Sequence, residues 1–167
     1  VIWSGTAESV VNLAPSDARN SQVNAMAPGV QVGSVQPRDS GTTAAVWYGD
    51  AQSLVYLQPE GVTWSEIYGT DGTHHVGKAL FGGSSHAYLW LGESGGVDLA
   101  SYLPPEYSTS VALSVSSLGN TLYVTGFVDP PIGQNQAWLW IGSVPSPGTL
   151  PALGGALMIL HNGRRRR

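Results

Sequence analysis

Apolar runs recur along this chain at nearly regular intervals, separated by polar segments rich in glycine and proline. A run that ends in Trp-x-Gly occurs four times, as VIWSG at residues 1–5, TAAVWYG at 43–49, HAYLWLG at 86–92 and QAWLWIG at 136–142. The four marker tryptophans, spaced 44, 43 and 50 residues apart, are Trp3, Trp47, Trp90 and Trp140. A spacing in this range indicates a repeat architecture.

Three further features recur in phase with the tryptophans. Each of the first three markers is followed by a Val-x-Leu, then by a strand-like run opened by a hydroxyl residue, and then by a run around a glycine. In chain order these residues are Leu13, Leu57 and Leu99, then Ser21, Ser65 and Thr109, then Gly33, Gly77 and Gly126. Each unit therefore holds four short β-type runs joined by turns.

Four strands in a unit of this length predict a blade of a β-propeller. Both faces of a blade are covered by its neighbours, so its inner strands are apolar at consecutive positions, as in AYLWL and AWLWI. The repeated tryptophan is then a packing residue between blades, with a sugar-stacking platform as the alternative. We predict an all-β, propeller-type region over residues 1–143, with about three four-stranded blades.

Three blades are fewer than the four to eight that close a propeller. A stack of three leaves two apolar faces open, and such faces favour association. We therefore expect the chain to be the C-terminal part of a larger or incomplete propeller, or else an open, curved stack of sheets.

Composition and charge narrow the function classes. Only 11% of the residues are charged, and glycine occurs 22 times, proline 11 times and cysteine not at all, which excludes disulfides and thiolate metal sites. Before the C-terminal arginines, eleven acidic residues face three basic ones, Arg19, Arg38 and Lys78. Such a body offers no surface that follows a phosphate backbone, so we expect no nucleic-acid partner.

The repeats resemble a known family. The series HAYLWLG, GGVDL, YSTSVALSV and TLYVTGFV resembles the HAF repeat of bacterial extracellular proteins, which is named for a His-Ala-Phe-Leu-Trp run. The likeness extends over residues 1–142, although only one marker keeps the histidine (His86) and none keeps the phenylalanine. The resemblance implies an exported, propeller-like repeat protein.

The last residues, VPSPGTLPALGGALMILHNGRRRR, differ from everything before them. They resemble the PEP-CTERM sorting signal, a Val-Pro-Glu-Pro motif followed by an apolar helix and an arginine cluster. The match places Pro145 and Pro147 in the motif, Ser146 at its glutamate position, and Arg164, Arg165, Arg166 and Arg167 in the cluster. It implies export, recognition by a membrane exosortase, and an association with extracellular polysaccharide.

The physical properties of residues 144–167 agree with a sorting tail in part. Arginines that follow an apolar segment stay on the cytoplasmic side of a membrane. The apolar run, residues 150–160, would rise only about 17 Å as a helix, whereas a hydrocarbon core is about 30 Å thick. We predict a short apolar helix that acts as a transient signal, and a disordered tail is the alternative.

Candidate binding residues lie in loops without a counterpart in the other repeats. Trp64, in EGVTWSEI, and Tyr102 and Tyr107, in SYLPPEY, are candidates for contact with a ligand or partner, and local packing is the alternative. Adjacent His74 and His75 would point to opposite faces of a strand and so suit no single metal ion. We predict no cofactor and no metal site.

The sequence favours a non-catalytic protein of the cell surface or extracellular matrix. It contains no nucleophile elbow, zinc-protease motif, phosphate loop or calcium loop. Its expected role is a scaffold for a polysaccharide or a surface protein. The alternatives are a carbohydrate-active enzyme, such as a lyase or glycosidase, and a lectin, each with a site that missing N-terminal blades complete.

Overall fold

The computed structural model describes residue 2 and residues 5–93, 95–130 and 132–143, and these residues form an all-β protein, as predicted. They contain eleven β-strands and two short 3-10 helices. The strands are β1 (Ala18–Ala27), β2 (Val30–Pro37), β3 (Thr43–Trp47), β4 (Val55–Tyr56), β5 (Ser65–Thr70), β6 (His74–Phe81), β7 (Ser84–Leu91), β8 (Gly96–Asp98), β9 (Thr109–Leu118), β10 (Thr121–Asp129) and β11 (Gln136–Ser143). The 3-10 helices are Ala7–Ser9 and Leu99–Tyr102.

The strands form three antiparallel sheets in chain order. The first sheet has the order β1-β2-β3-β4, the second β5-β6-β7-β8, and the third β9-β10-β11. Two sheets therefore have the predicted four strands and the third has three, but the unit boundaries differ from the prediction: the Val-x-Leu run after a marker is the last strand of that marker's sheet and not the first strand of the next. The positions in phase with β4 and β8 fall after Ser143, outside the described residues.

The three sheets pack face to face. We call the face that a sheet turns toward the preceding sheet its back face, and the opposite face its front face. In the second sheet the back face carries Ile67, Ala79 and Trp90 in the core with the first sheet. Its front face carries Val76 and Leu89 in the core with the third sheet. Coverage on both faces explains why strands such as β7 are apolar at consecutive positions.

The three described marker tryptophans are buried on the back faces of their sheets. Trp47, Trp90 and Trp140 are 0, 3 and 1% exposed, and each belongs to the back face of its sheet. The indole Nε1 of Trp90 donates a hydrogen bond to the Leu57 carbonyl in the preceding repeat, at 2.8 Å. Packing between sheets is therefore confirmed for Trp90 and Trp140, whereas Trp47 packs between the first sheet and the N-terminal segment. Trp3 lies outside the described residues.

The N-terminal segment repeats the outer half of a sheet. Ile2 pairs with Val11 in an antiparallel bridge, in phase with the pairing of β3 with β4 and of β7 with β8. Leu13, 3% exposed, packs on the back face of the first sheet together with Trp47. Ile2, Val11 and Leu13 thus cover one half of that face as the outer strands of a preceding sheet would.

A β-bulge in the first strand of a sheet explains the in-phase glycines. In the second sheet the register between β5 and β6 shifts just after Ile67, which pairs with Gly77. A Cβ on Gly77 would overlap the carbonyl oxygen of Glu66. Gly33 and Gly126 are packed in the same way against backbone carbonyls of β1 and β9. The repeated glycine therefore serves a close backbone approach.

The in-phase hydroxyl joins one sheet to the next. The buried Oγ of Ser65 accepts a hydrogen bond from the Ala44 N–H at 3.0 Å. The Oγ of Ser110 accepts the same bond from the Ala87 N–H at 2.9 Å. The sequence assignment in the third repeat was therefore wrong: the in-phase hydroxyl residue is Ser110 and not Thr109.

The predicted sorting tail falls outside the described residues. This applies to the boundary at residue 144, to the apolar run at 150–160, and to the motif residues Pro145, Ser146, Pro147 and Arg164–Arg167. Within the described part of the chain, no helix has the length and hydropathy needed to cross a membrane.

Candidate functional site

A cleft of about 420 Å³ opens between the outer strands of the first and second sheets. We call it the intersheet cleft. Its main side chains come from β4 and the segment after it on one side, and from β7 and the following turn on the other. They are Tyr56, Gln58, Glu60, Tyr88, Trp90 and Glu93. The cleft therefore combines aromatic surface with carboxylates and an amide.

Aromatic rings form much of the lining. Tyr88 and Trp90 meet edge to face, with ring centroids 4.9 Å apart, and Tyr56 is 43% exposed. Burial, with a smaller effect of Asp17, raises the pKa of Tyr56, and burial followed by Asp98 raises that of Tyr88. Both tyrosines are therefore neutral at physiological pH, and each can donate and accept hydrogen bonds.

Glu93 is held in place by a neighbouring repeat. The hydroxyl of Tyr48, which directly follows β3, donates a hydrogen bond to its carboxylate at 2.6 Å. Burial, the hydrogen bond to Glu93 and the charge of Glu93, in that order, raise the pKa of Tyr48 to about 12. This contact crosses between the sheets and fixes a carboxylate beside the aromatic lining.

The position of the cleft follows from the repeat, but some of its lining residues differ from those at the same positions in another repeat. A smaller cavity, of about 170 Å³, lies between the N-terminal segment and the first sheet and shares part of the in-phase position. Its Asn12, Leu13, Ala14 and Trp47 correspond to Tyr56, Leu57, Gln58 and Trp90 of the intersheet cleft, whereas its Ser21, Gln22 and Val23 have no counterpart there. The leucine and tryptophan are retained, but the exposed Tyr56 is replaced by Asn12 and Gln58 by Ala14. Residues that vary over a constant framework are typical of a binding surface.

The structure separates the three ligand contacts predicted from sequence. Trp64 lies just before β5, where the Lys78 ammonium group sits 4.6 Å from its ring centroid in a cation–π contact. Tyr107 packs edge to face on Trp138 at 5.4 Å and donates a hydrogen bond to Gln136. Tyr102 is 39% exposed on the second 3-10 helix. None of the three lines the intersheet cleft.

Sequence reasoning missed Tyr56, which is the exposed ring of the cleft. It is the middle residue of the second Val-x-Leu, where the other repeats have Asn12 and Asp98. Variation at that one position, inside an otherwise constant motif, was the signal that could have identified it.

A histidine–aspartate group occupies the turn before β6. The Asp71 carboxylate accepts hydrogen bonds from the backbone N–H groups of Thr73 and His74 and contacts the His74 ring at 3.0 Å. Burial alone would raise the pKa of Asp71, but these bonds lower it to about 2. The His75 ring contacts the Thr70 hydroxyl instead, at 2.8 Å. The two histidines are thus engaged separately, and the described residues hold no cluster of three metal-ligating side chains.

Comparison with known proteins identifies no relative: no family model, no curated protein and no solved structure matches this chain. The repeated joint between sheets and the intersheet cleft are the observations from which function is inferred.

Proposed function

We propose that this chain is a β-propeller-type repeat region of an exported, non-catalytic scaffold protein, which binds a polysaccharide or a surface protein of the cell envelope or matrix. One observation supports this above the others. Recurring side chains such as Ser65, Ser110, Trp90 and Trp140 are buried where one sheet packs on the next, whereas part of the lining of the intersheet cleft differs between repeats. A constant framework with one variable surface fits a scaffold.

The propeller assignment rests on the two joints. Each joins a front face to the next back face, and each uses a buried tryptophan and a serine that accepts a backbone hydrogen bond. Stacking of antiparallel four-stranded sheets in chain order is the arrangement of successive propeller blades.

The proposed route of export rests on the sequence of the tail. An exosortase-type enzyme would recognise Pro145, Ser146 and Pro147, and the arginines at 164–167 would stay on the cytoplasmic side of the membrane. The decisive experiment is intact-mass analysis with cell fractionation of the natural full-length protein in a host that contains an exosortase. We expect loss of the residues after the Pro-Ser-Pro motif and recovery of the body at the surface or in the matrix.

Two variants sharpen this experiment. Replacing the four arginines by serine removes the stop and should abolish processing. Ser146→Glu restores the residue of the family motif and should increase the processed fraction. An intact tail on a protein that stays inside the cell would contradict the proposed sorting and leave the sheet architecture unaffected.

Sugar binding at the intersheet cleft is a second candidate function. The exposed ring of Tyr56 and the carboxylate of Glu93 can stack on a sugar and accept its hydroxyl hydrogen bonds. On a glycan array, and by Trp fluorescence titration of a retained glycan, Tyr56→Ala should lower affinity about tenfold, or about 1.4 kcal/mol. Tyr102→Ala is the matched control, because Tyr102 has a similar exposure. Retention of no glycan would exclude the lectin, and cleavage of a polysaccharide would favour the enzyme.

A further inference from the structure

The front face of the third sheet is open to solvent. Leu139 on this face is 43% exposed, although the in-phase residues of the first and second sheets, Val46 and Leu89, are 0 and 3% exposed. Those two are covered because another sheet packs in front of them. Leu139 has the same apolar character, but no sheet among the described residues packs in front of it.

The inner half of the first sheet's back face is open as well. Val23 pairs with Gly33 as Ile67 pairs with Gly77 and Ala112 with Gly126. Val23 is 39% exposed, whereas Ile67 and Ala112 are fully buried. The stack therefore has one uncovered front face at its C-terminal end and one half-covered back face at its N-terminal end.

The two open ends also carry the two halves of the hydrogen bond that joins sheets. In both existing joints a front-face alanine N–H donates to a serine Oγ on the next back face. Ala137 is the in-phase alanine of the third sheet, and Ser21 is the in-phase serine of the first. The donor thus lies at one end of the stack and the acceptor at the other.

The two ends of the stack also complement each other in strand pairing. The third sheet is described with three strands and has β11 at its edge. At the other end, Val11 belongs to a segment in phase with a fourth strand, and it exchanges backbone hydrogen bonds of 2.9 and 2.7 Å with Ile2. Leu139 is in phase with Ile2, so β11 of another molecule could pair with Val11 in its place.

We propose that two copies of this chain associate head to tail, with the front face of each third sheet on the back face of the other copy's first sheet. The segment around Val11 then supplies the fourth strand of the partner's third sheet. The new joint repeats the hydrogen bond of the two joints within the chain and places the apolar Leu139 as Val46 and Leu89 are placed, with Thr125 in the position of Val32 and Val76. Two such joints would close six sheets into one ring, within the four to eight blades of known propellers. The inference uses only the observed sheet faces and does not depend on the proposed export or scaffold role.

The test is the mass in solution of the 167-residue chain, by sedimentation velocity between about 1 and 100 μM. We expect a two-chain species. Val23→Glu and Leu139→Glu should each give single chains, because each places a charge in the joint. Tyr102→Glu is the matched control and should stay paired, since it has the exposure of Val23 and lies away from both faces.

Mixing the two glutamate variants shows which faces of the two copies associate. Val23→Glu leaves the front face of the third sheet unchanged, and Leu139→Glu leaves the back face of the first sheet unchanged. An equimolar mixture should therefore recover two-chain species that neither variant forms alone. A dimer that joins like faces would survive one of the two substitutions. Single chains at all concentrations, or a dimer that survives both substitutions, would overturn the proposal.

A cross-link tests the strand register. The chain has no cysteine, so Val11→Cys and Leu139→Cys introduce the only thiols. The Cα separation of about 5.5 Å in a hydrogen-bonded antiparallel pair is within the range of a disulfide. Mixed oxidation of the two single variants should give a covalent heterodimer, and Tyr102→Cys with Val11→Cys should not. A disulfide within one chain of the double variant would contradict the proposal.

Discussion

At the residue scale, a single hydroxyl connects two sheets. Ser65 is fully buried, accepts the Ala44 N–H, and donates to the side-chain oxygen of Gln58 at 2.5 Å. Ala44 is fully buried as well, so its N–H depends on Ser65 for its hydrogen bond. A buried backbone group left without a partner is more costly than the bond is stabilising.

We expect Ser65→Ala to lower the free energy of unfolding by about 1–3 kcal/mol, because it leaves the Ala44 N–H unsatisfied. Urea unfolding followed by Trp fluorescence measures this. The control is Ser117→Ala on β9, which is exposed and should change stability by less than about 0.5 kcal/mol. Equal effects of the two substitutions would contradict the role given to Ser65.

The His75 ring makes stability depend on pH. Burial lowers its pKa below the ordinary value of 6.5, with Asp71 opposing the shift and His74 adding to it. The unfolded chain therefore binds a proton at a higher pH than the folded one, and stability falls as the pH drops below about 6.5. Between pH 7 and 5 the free energy of unfolding should decrease, and less so in His75→Gln.

The range between pH 7 and 5 separates the effect of the His75 imidazole on stability from that of the Asp71 carboxyl group. Asp71 keeps its charge throughout, since its pKa of about 2 lies well below pH 5. Its own contribution should be lost only as the pH falls below about 3.8, its ordinary pKa. An identical slope for the wild type and His75→Gln between pH 7 and 5 would exclude His75 as the titrating group.

The repeated residues could be predicted from the sequence, but the choice between neighbours could not. The third repeat has two adjacent hydroxyl residues, Thr109 and Ser110, and its marker spacing is longer than the others. Only the pairing of β9 with Gly126 fixes which one faces the second sheet. That pairing is set by the position of the bulge in the folded sheet and not by the local sequence.

At the element scale, each sheet depends on a bulge opposite a glycine. The first strand bends over the second at this point, which brings the Glu66 carbonyl onto Gly77. The bend increases the local twist and lets the first strand follow the preceding sheet. The sequence showed the recurrence of the glycine, but the need for it became visible only with the backbone.

We expect Gly77→Ala to destabilise the fold by about 2–4 kcal/mol, because the new methyl group must push the backbone of β5 away. Gly33→Ala and Gly126→Ala should behave alike. Gly82→Ala is the control: its methyl group meets nothing within 4 Å, and its positive φ costs about 1 kcal/mol. Chemical denaturation would compare them, and a Gly77→Ala variant no weaker than Gly82→Ala would contradict this account.

At the scale of the whole molecule, the N-terminal segment shields the outer half of the first sheet. Leu13 reaches the core with Val35, Ala45 and Trp47, which would otherwise face solvent. The stack, its order and its packing tryptophans followed from the spacing of the apolar runs. The intersheet cleft did not, because it is formed by loops from two repeats whose approach no local pattern encodes.

Leu13→Ala should lower the free energy of unfolding by about 2–4 kcal/mol, the usual cost of a buried leucine with its cavity. Val10→Ala is the control, since Val10 is 50% exposed and should contribute less than about 0.5 kcal/mol. Thermal and urea unfolding would both report the difference. A Leu13→Ala variant as stable as the control would mean that the segment is not part of the cooperative unit.

The meander order of the sheets has a consequence for how the protein folds. Within each sheet every strand pairs with the next one in the chain, so each strand pairing closes only a short loop. All-β proteins usually fold slowly because their pairings are distant, and short separations remove much of that loop-closure cost. A chain of this kind can complete one sheet before the next has emerged, and each finished sheet then templates its successor through a ready apolar face.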